Sequence, residues 1–76
     1  MGHLPRLSGR EAVNVFEKFG WRVARQRGSH IITVKAEATV TLSIPDHDEI
    51  AKGTLRSLIR AAGVTVDEFT SSAIHS

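Results

Sequence analysis

The chain has no cysteine, which excludes a disulfide framework and any thiolate metal site. It also lacks an apolar run near the roughly 18 residues that a membrane span needs. Its opening residues, Met1-Gly2-His3-Leu4-Pro5-Arg6, lack the apolar stretch of a secretory signal. These absences point to a soluble cytoplasmic protein with no membrane partner. At 76 residues there is room for one domain spanning 1–76, with its core over about 5–70. So small a domain buries only about 60% of the surface of its unfolded chain, so its core is thin.

The common catalytic signatures are missing as well. There is no HxxxH, HExxH or Cys–His spacing among the four histidines, so no preformed metal site is expected. Gly9, Gly20, Gly28, Gly53 and Gly63 stand isolated and form no phosphate-cradling loop. Serines and aspartates are present without a nucleophile-elbow pattern. Neither a cofactor nor a metal is expected.

What is present begins with an uneven charge. Residues 1–35 hold seven basic and two acidic residues, whereas residues 36–76 hold three basic and six acidic ones. A basic half on a tiny domain suggests a polyanionic partner, most simply nucleic acid. A solvated Arg-rich surface is the alternative.

Ser8-Gly9-Arg10-Glu11 is a capping-box pattern, followed by Ala12, Val13, Phe16 and Phe19 at helical spacing and by Gly20 as a left-handed stop. A helix is therefore expected from about Gly9 to Phe19, with Val15 partly off its apolar stripe. Phe16, Phe19 and Trp21 belong to the core in this reading and not to a base-stacking platform. Trp21 to Arg27 and Ser29 to Lys35 read as two strands of a hairpin turning at Arg27-Gly28. That turn places Trp21 opposite Val34, Val23 opposite Ile32 and Arg25 opposite His30, all on one sheet face, with the apolar pairs over the helices and the Arg25–His30 pair at the rim beside the turn. A bulge at Gly28 would reverse the faces.

Thr39 to Ile44 alternates, with Val40, Leu42 and Ile44 inward, and Pro45 ends the strand. Leu55, Leu58, Ile59 and Ala62 then repeat as i, i+3, i+4, i+7 before Gly63. Lys52, Arg56 and Arg60 form a basic stripe on the same helix. They are either a solvated face or phosphate contacts. Thr65 to Glu68 repeats the capping box and opens a short last helix with Phe69, and the tail from Ser71 is expected to fray. The expected fold is α+β: an α-β-β-β-α sandwich with two helices on one face of a three-stranded antiparallel sheet, plus the short C-terminal helix. This element order resembles that of the double-stranded-RNA-binding domain, an analogy of fold that does not by itself carry function.

One imidazole, His30, stands beside the hairpin turn. A histidine titrates near neutral pH and serves as general base or acid without a metal. RNA suits such a group because its 2′-hydroxyl is a built-in nucleophile. A nearby arginine would stabilise charge developing at phosphorus, and Arg25 is the first candidate, with Arg27 second. On the residues alone, a merely structural histidine beside a turn stays open.

Taken in order, Leu7-Ser8-Gly9-Arg10-Glu11, Phe19-Gly20-Trp21, Gly28-Ser29-His30, Ile44-Pro45-Asp46-His47, Lys52-Gly53-Thr54-Leu55-Arg56-Ser57-Leu58-Ile59, Ala62-Gly63-Val64-Thr65 and Glu68-Phe69 resemble the HicA toxins of prokaryotic toxin–antitoxin pairs. The resemblance covers about residues 5–70. It implies a double-stranded-RNA-binding-like fold and a ribonuclease that cleaves mRNA and arrests growth. It also implies a HicB-type antitoxin that covers the active site. The family's functional histidine falls on His30, with Gly28 allowing the turn and Ser29 offering a hydroxyl or amide to phosphate. His47 falls in the family's Pro-x-His segment, as a structural residue or as a second proton carrier. Lys52 and Arg56 would join Arg25 and Arg27 in binding RNA. A non-catalytic RNA-binding module of the same fold is the first alternative, and a pure protein-interaction partner with a basic face is the second.

Overall fold

The computed structural model describes residues 4–74. His3 and His75, expected in frayed ends, lie outside the described residues. Helix α1 (Gly9–Glu17) starts where the sequence places it: Ser8 Oγ accepts from the Glu11 amide at 3.1 Å, and the Ser8 amide donates to Glu11 Oε1 at 2.8 Å. It stops two residues before Phe19. The Phe19 and Gly20 amides bond to the Phe16 and Glu17 carbonyls in a tightened last turn, and Gly20 takes φ of 96°. Val15 is buried, so α1 presents a wide face to the core and not a narrow stripe.

Strands β1 (Arg22–Arg27), β2 (His30–Val34) and β3 (Leu42–Pro45) form an antiparallel sheet in the order β1-β2-β3. Trp21 lies just before β1, buried but outside the ladder. The hairpin turn is Gly28-Ser29, one residue later than expected, with Gly28 at φ of 58°. A primed hairpin turn needs such a positive φ. The register follows: Arg27 pairs with His30, Gln26 with Ile31 and Arg25 with Ile32. Between Arg25 and Val23 it shifts, with Ala24 as the extra residue, and it resumes with Val23 opposite Thr33 and Arg22 opposite Val34.

A slip of one residue exchanges the two faces of a strand, and the faces expected for β2 and for Arg25 are exchanged. Val23 keeps the helix side through the bulge, and Leu42 and Ile44 point inward as expected. Ile31 and Thr33 of β2, with Leu42 and Ile44 of β3, point into the core. His30, Ile32 and Val34 point the other way. Val40 does not continue β3 inward; it is 47% exposed, ahead of the strand's first residue. β2 has five residues, and β3 finds partners for four, from Thr33↔Leu42 to His30↔Pro45.

Helix α2 (Lys52–Ala61) buries Leu55, Leu58 and Ile59 and leaves Lys52, Arg56 and Arg60 exposed. Gly63, at φ of 76°, turns the chain after it. Helix α3 (Val66–Ile74) opens with the second capping box, the Thr65 amide to Glu68 Oε1 at 2.9 Å and the Glu68 amide to Thr65 Oγ1 at 3.0 Å. It continues through Ser71 and Ser72, which were expected to fray, and Lys18 Nζ donates to the Ser72 carbonyl at 3.1 Å. Phe69 is fully buried against Phe16, with ring centroids 4.9 Å apart. Burial of each such ring contributes about 1.5–3 kcal/mol. Helices α1 and α2 thus lie on one face of the sheet, α3 packs against both of them, and the other face is left open, an α+β sandwich.

Candidate active site

His30 is the first residue of β2, and its neighbour Ile31 is buried in the core. Alternation along the strand therefore sends the His30 side chain onto the open face. The residues paired with it share that face: Arg27 on β1 and Pro45 on β3. A shallow pocket of 490 Å³ lies there, lined by Arg27, Gly28, His30, Ile32 and Ser43. The partner of His30 is thus Arg27, and the expected Arg25 sits one step along, paired with Ile32. The expected turn at Arg27-Gly28 left the chain one residue out of register, which made Arg25 the cross-strand partner.

The turn is held from beneath by residues that sequence reasoning did not single out. The Asp46 amide donates to the Ser29 carbonyl at 2.7 Å. Asp46 Oδ2 accepts from Gln26 Nε2 at 3.1 Å and from Arg10 Nη2 at 3.2 Å, and Gln26 Nε2 also approaches the Gly28 carbonyl at 3.3 Å. Asp46 therefore ties together α1, β1 and the turn. Its ion pair with Arg10 is of the surface kind, the arginine being 71% exposed, and contributes at most about 1 kcal/mol. The Gly9 amide donates to the His47 carbonyl at 2.9 Å, which docks the start of α1 on the segment after β3.

Among the remaining sequence candidates, Ser29 contributes its carbonyl to the Asp46 amide and is exposed. The His47 imidazole is exposed, and His47 does not line the pocket that His30 lines. Lys52 and Arg56 are exposed on α2, in the helical layer, and also lie outside the pocket lining. Ser43 joins the site through its pairing with Ile32. The outward alternation of Ser43 was legible, but its proximity to His30 depended on the register.

The arrangement joins an exposed imidazole, a guanidinium directly across the hairpin and a hydroxyl on a concave patch. That set can move a proton and hold an anion. Among the described residues, no group of three or more His, Cys, Asp and Glu is placed to hold a metal ion, and no helix is long and apolar enough to cross a membrane.

A search of curated proteins gives no match to the chain. A family model described as the HicA toxin of bacterial toxin–antitoxin pairs matches residues 9–64, a span that runs from the first residue of α1 past the end of α2 and includes the whole sheet and the pocket. The chain belongs to the HicA toxin family.

Proposed function

We propose that this toxin is a metal-independent endoribonuclease that cuts mRNA, thereby arrests growth, and is neutralised by a HicB-type antitoxin, with His30 as its proton carrier. The observation that carries the reading is the pairing of His30 with Arg27 on the open face, both lining one pocket. In the reaction, the neutral imidazole takes the proton of a 2′-hydroxyl as that oxygen attacks the adjacent phosphorus. The bond from phosphorus to the 5′-oxygen breaks on the opposite side, the departing oxygen takes a proton from water, and the imidazolium gives its proton to the hydroxide left behind. The products are a 2′,3′-cyclic phosphate and a 5′-hydroxyl, and His30 ends as it began.

Arg27 stabilises the charge that builds on the non-bridging oxygens, with Arg25 beside it. Gly28, lacking a side chain, lets the phosphate approach the turn, and the Ser29 hydroxyl faces solvent beside it. Lys52 and Arg56 supply further phosphate contacts as the RNA leaves the site. His47 is the weaker candidate for a second proton carrier, since a single imidazole with water closes the cycle and His47 lies outside the pocket lining.

The test is the end groups of the cleaved RNA, with excess EDTA present. Cyclic phosphate and 5′-hydroxyl ends, formed at an undiminished rate, are expected. RNA binding with no turnover would convert the reading into a non-catalytic RNA-binding module, and cleavage abolished by EDTA would require a metal mechanism.

A further inference from the structure

We propose that Arg22, Arg25 and Arg27 form a phosphate track for one unpaired RNA strand, laid across the open sheet face and leading into the pocket at His30. This rests on the assignment of His30 as the RNA-cutting group, and it adds the strandedness and path of the substrate.

The track is a product of the bulge. In a regular strand, Arg22 would face away from Arg25 and Arg27, since side chains alternate with period two. The extra residue at Ala24 corrects the phase, so the three arginines pair in turn with Val34, Ile32 and His30. Those three partners alternate along β2 with core-facing Ile31 and Thr33. The arginines therefore share the open face at an even step of about 6.8 Å, two residues of antiparallel strand. That step is close to the spacing of successive phosphates on an extended strand.

Among the described residues, none of the three arginines is in an ion pair. The three strands carry no acidic residue, and among the described residues the ion pair formed is Arg10 with Asp46, on the helix side of the turn. Half-buried Ile32 and Val34 offer an apolar floor for sugars and bases beside the row. Cleavage through a 2′-oxygen requires that oxygen to stand in line with the departing 5′-oxygen. A helical duplex holds it out of line, whereas a flexible single strand reaches that geometry. The row ends where the cut is made, since Arg27 is both the last arginine and the neighbour of His30.

The test uses His30→Ala toxin, so that RNA is bound and not consumed, and a labelled short oligouridylate as the probe. Adding Arg22→Ala with Arg25→Ala is expected to weaken binding at least about tenfold, and to make the plot of log affinity against log salt shallower by about 1.4, two single-strand phosphate contacts. Arg22→Lys with Arg25→Lys keeps the charges and is expected to retain the slope, with a melting curve excluding loss of fold. An unlabelled duplex is expected to compete less well than the unlabelled single strand.

An unchanged salt slope in the alanine pair overturns the track. So does equal competition by duplex, or a loss confined to antitoxin binding, which would assign the row to an acidic protein surface. If wild-type toxin cuts no RNA while these binding results hold, the nuclease reading falls and the track stands as a binding mode.

Discussion

Gly9→Ala is expected to destabilise the protein even though alanine is the better helix former. At an open helical position the exchange stabilises by about 0.4–1 kcal/mol. At Gly9 the added methyl would land on the Pro45 carbonyl oxygen, with the Pro45 carbonyl carbon at 2.9 Å and Asp46 Cα at 3.0 Å. All three are backbone atoms, so no side chain can swing aside. The start of α1 must back away from the end of β3, at an overpacking cost of about 1–3 kcal/mol. Weakening the hydrogen bond from the Gly9 amide to the His47 carbonyl adds about 0.5–1.5 kcal/mol. The net loss is about 1–3 kcal/mol, which at about 4–8 °C per kcal/mol in so small a domain is a large fall in melting temperature. Gly53→Ala is the control: it lies on exposed α2, where a methyl would meet nothing within 4 Å, and is expected to raise stability by about 0.4–1 kcal/mol. Urea melts of both variants check the pair. Equal stabilisation by the two would refute the claim that α1 is seated directly on the Pro45–His47 segment.

Two further substitutions probe the sheet and the turn. Thr33→Val is expected to raise the melting temperature by about 4–8 °C, because the fully buried Thr33 hydroxyl has no hydrogen-bond partner among the described residues and valine of the same shape removes a cost of about 1 kcal/mol; a lower melting temperature would mean that the hydroxyl is satisfied. Asp46→Ala removes both the surface ion pair with Arg10 and the bond from Gln26, and is expected to cost about 1–2 kcal/mol in a thermal melt and to slow RNA cleavage about tenfold or more, since small misplacements of a catalytic group cost up to about 10²-fold. Cleavage that falls no further than the folded fraction would limit Asp46 to stability.

The parts of the fold legible in the sequence are those fixed by neighbours in the chain. Both capping boxes, at Ser8–Glu11 and Thr65–Glu68, form as their residues dictate. The apolar periodicities of α1 and α2 also face the core as expected. Strand register depends on partners distant in sequence, and two short-range details decided it: a turn at Gly28-Ser29 and the extra residue at Ala24. Their combined effect reached the site. It replaced Arg25 by Arg27 as the partner of His30, turned Ile32 and Val34 away from the helices, and brought Arg22 onto the face of the pocket. Ser71 and Ser72 read as a polar tail because the bond from Lys18 that holds Ser72 comes from the far end of the chain. The role proposed for His30 comes from the ordered family motifs and not from its setting, whereas the tie made by Asp46 was legible from neither, since its carboxylate is shared by two distant partners.

The most direct test of the central assignment is the single-turnover rate of RNA cleavage by His30→Ala beside that of the wild-type toxin. The His30 side chain is exposed on the open face, so its removal is expected to leave the melting curve unchanged. Loss of a positioned proton carrier is expected to slow cleavage by about 10²–10⁴-fold. A folded His30→Ala protein that cuts RNA at the wild-type rate would contradict the assignment.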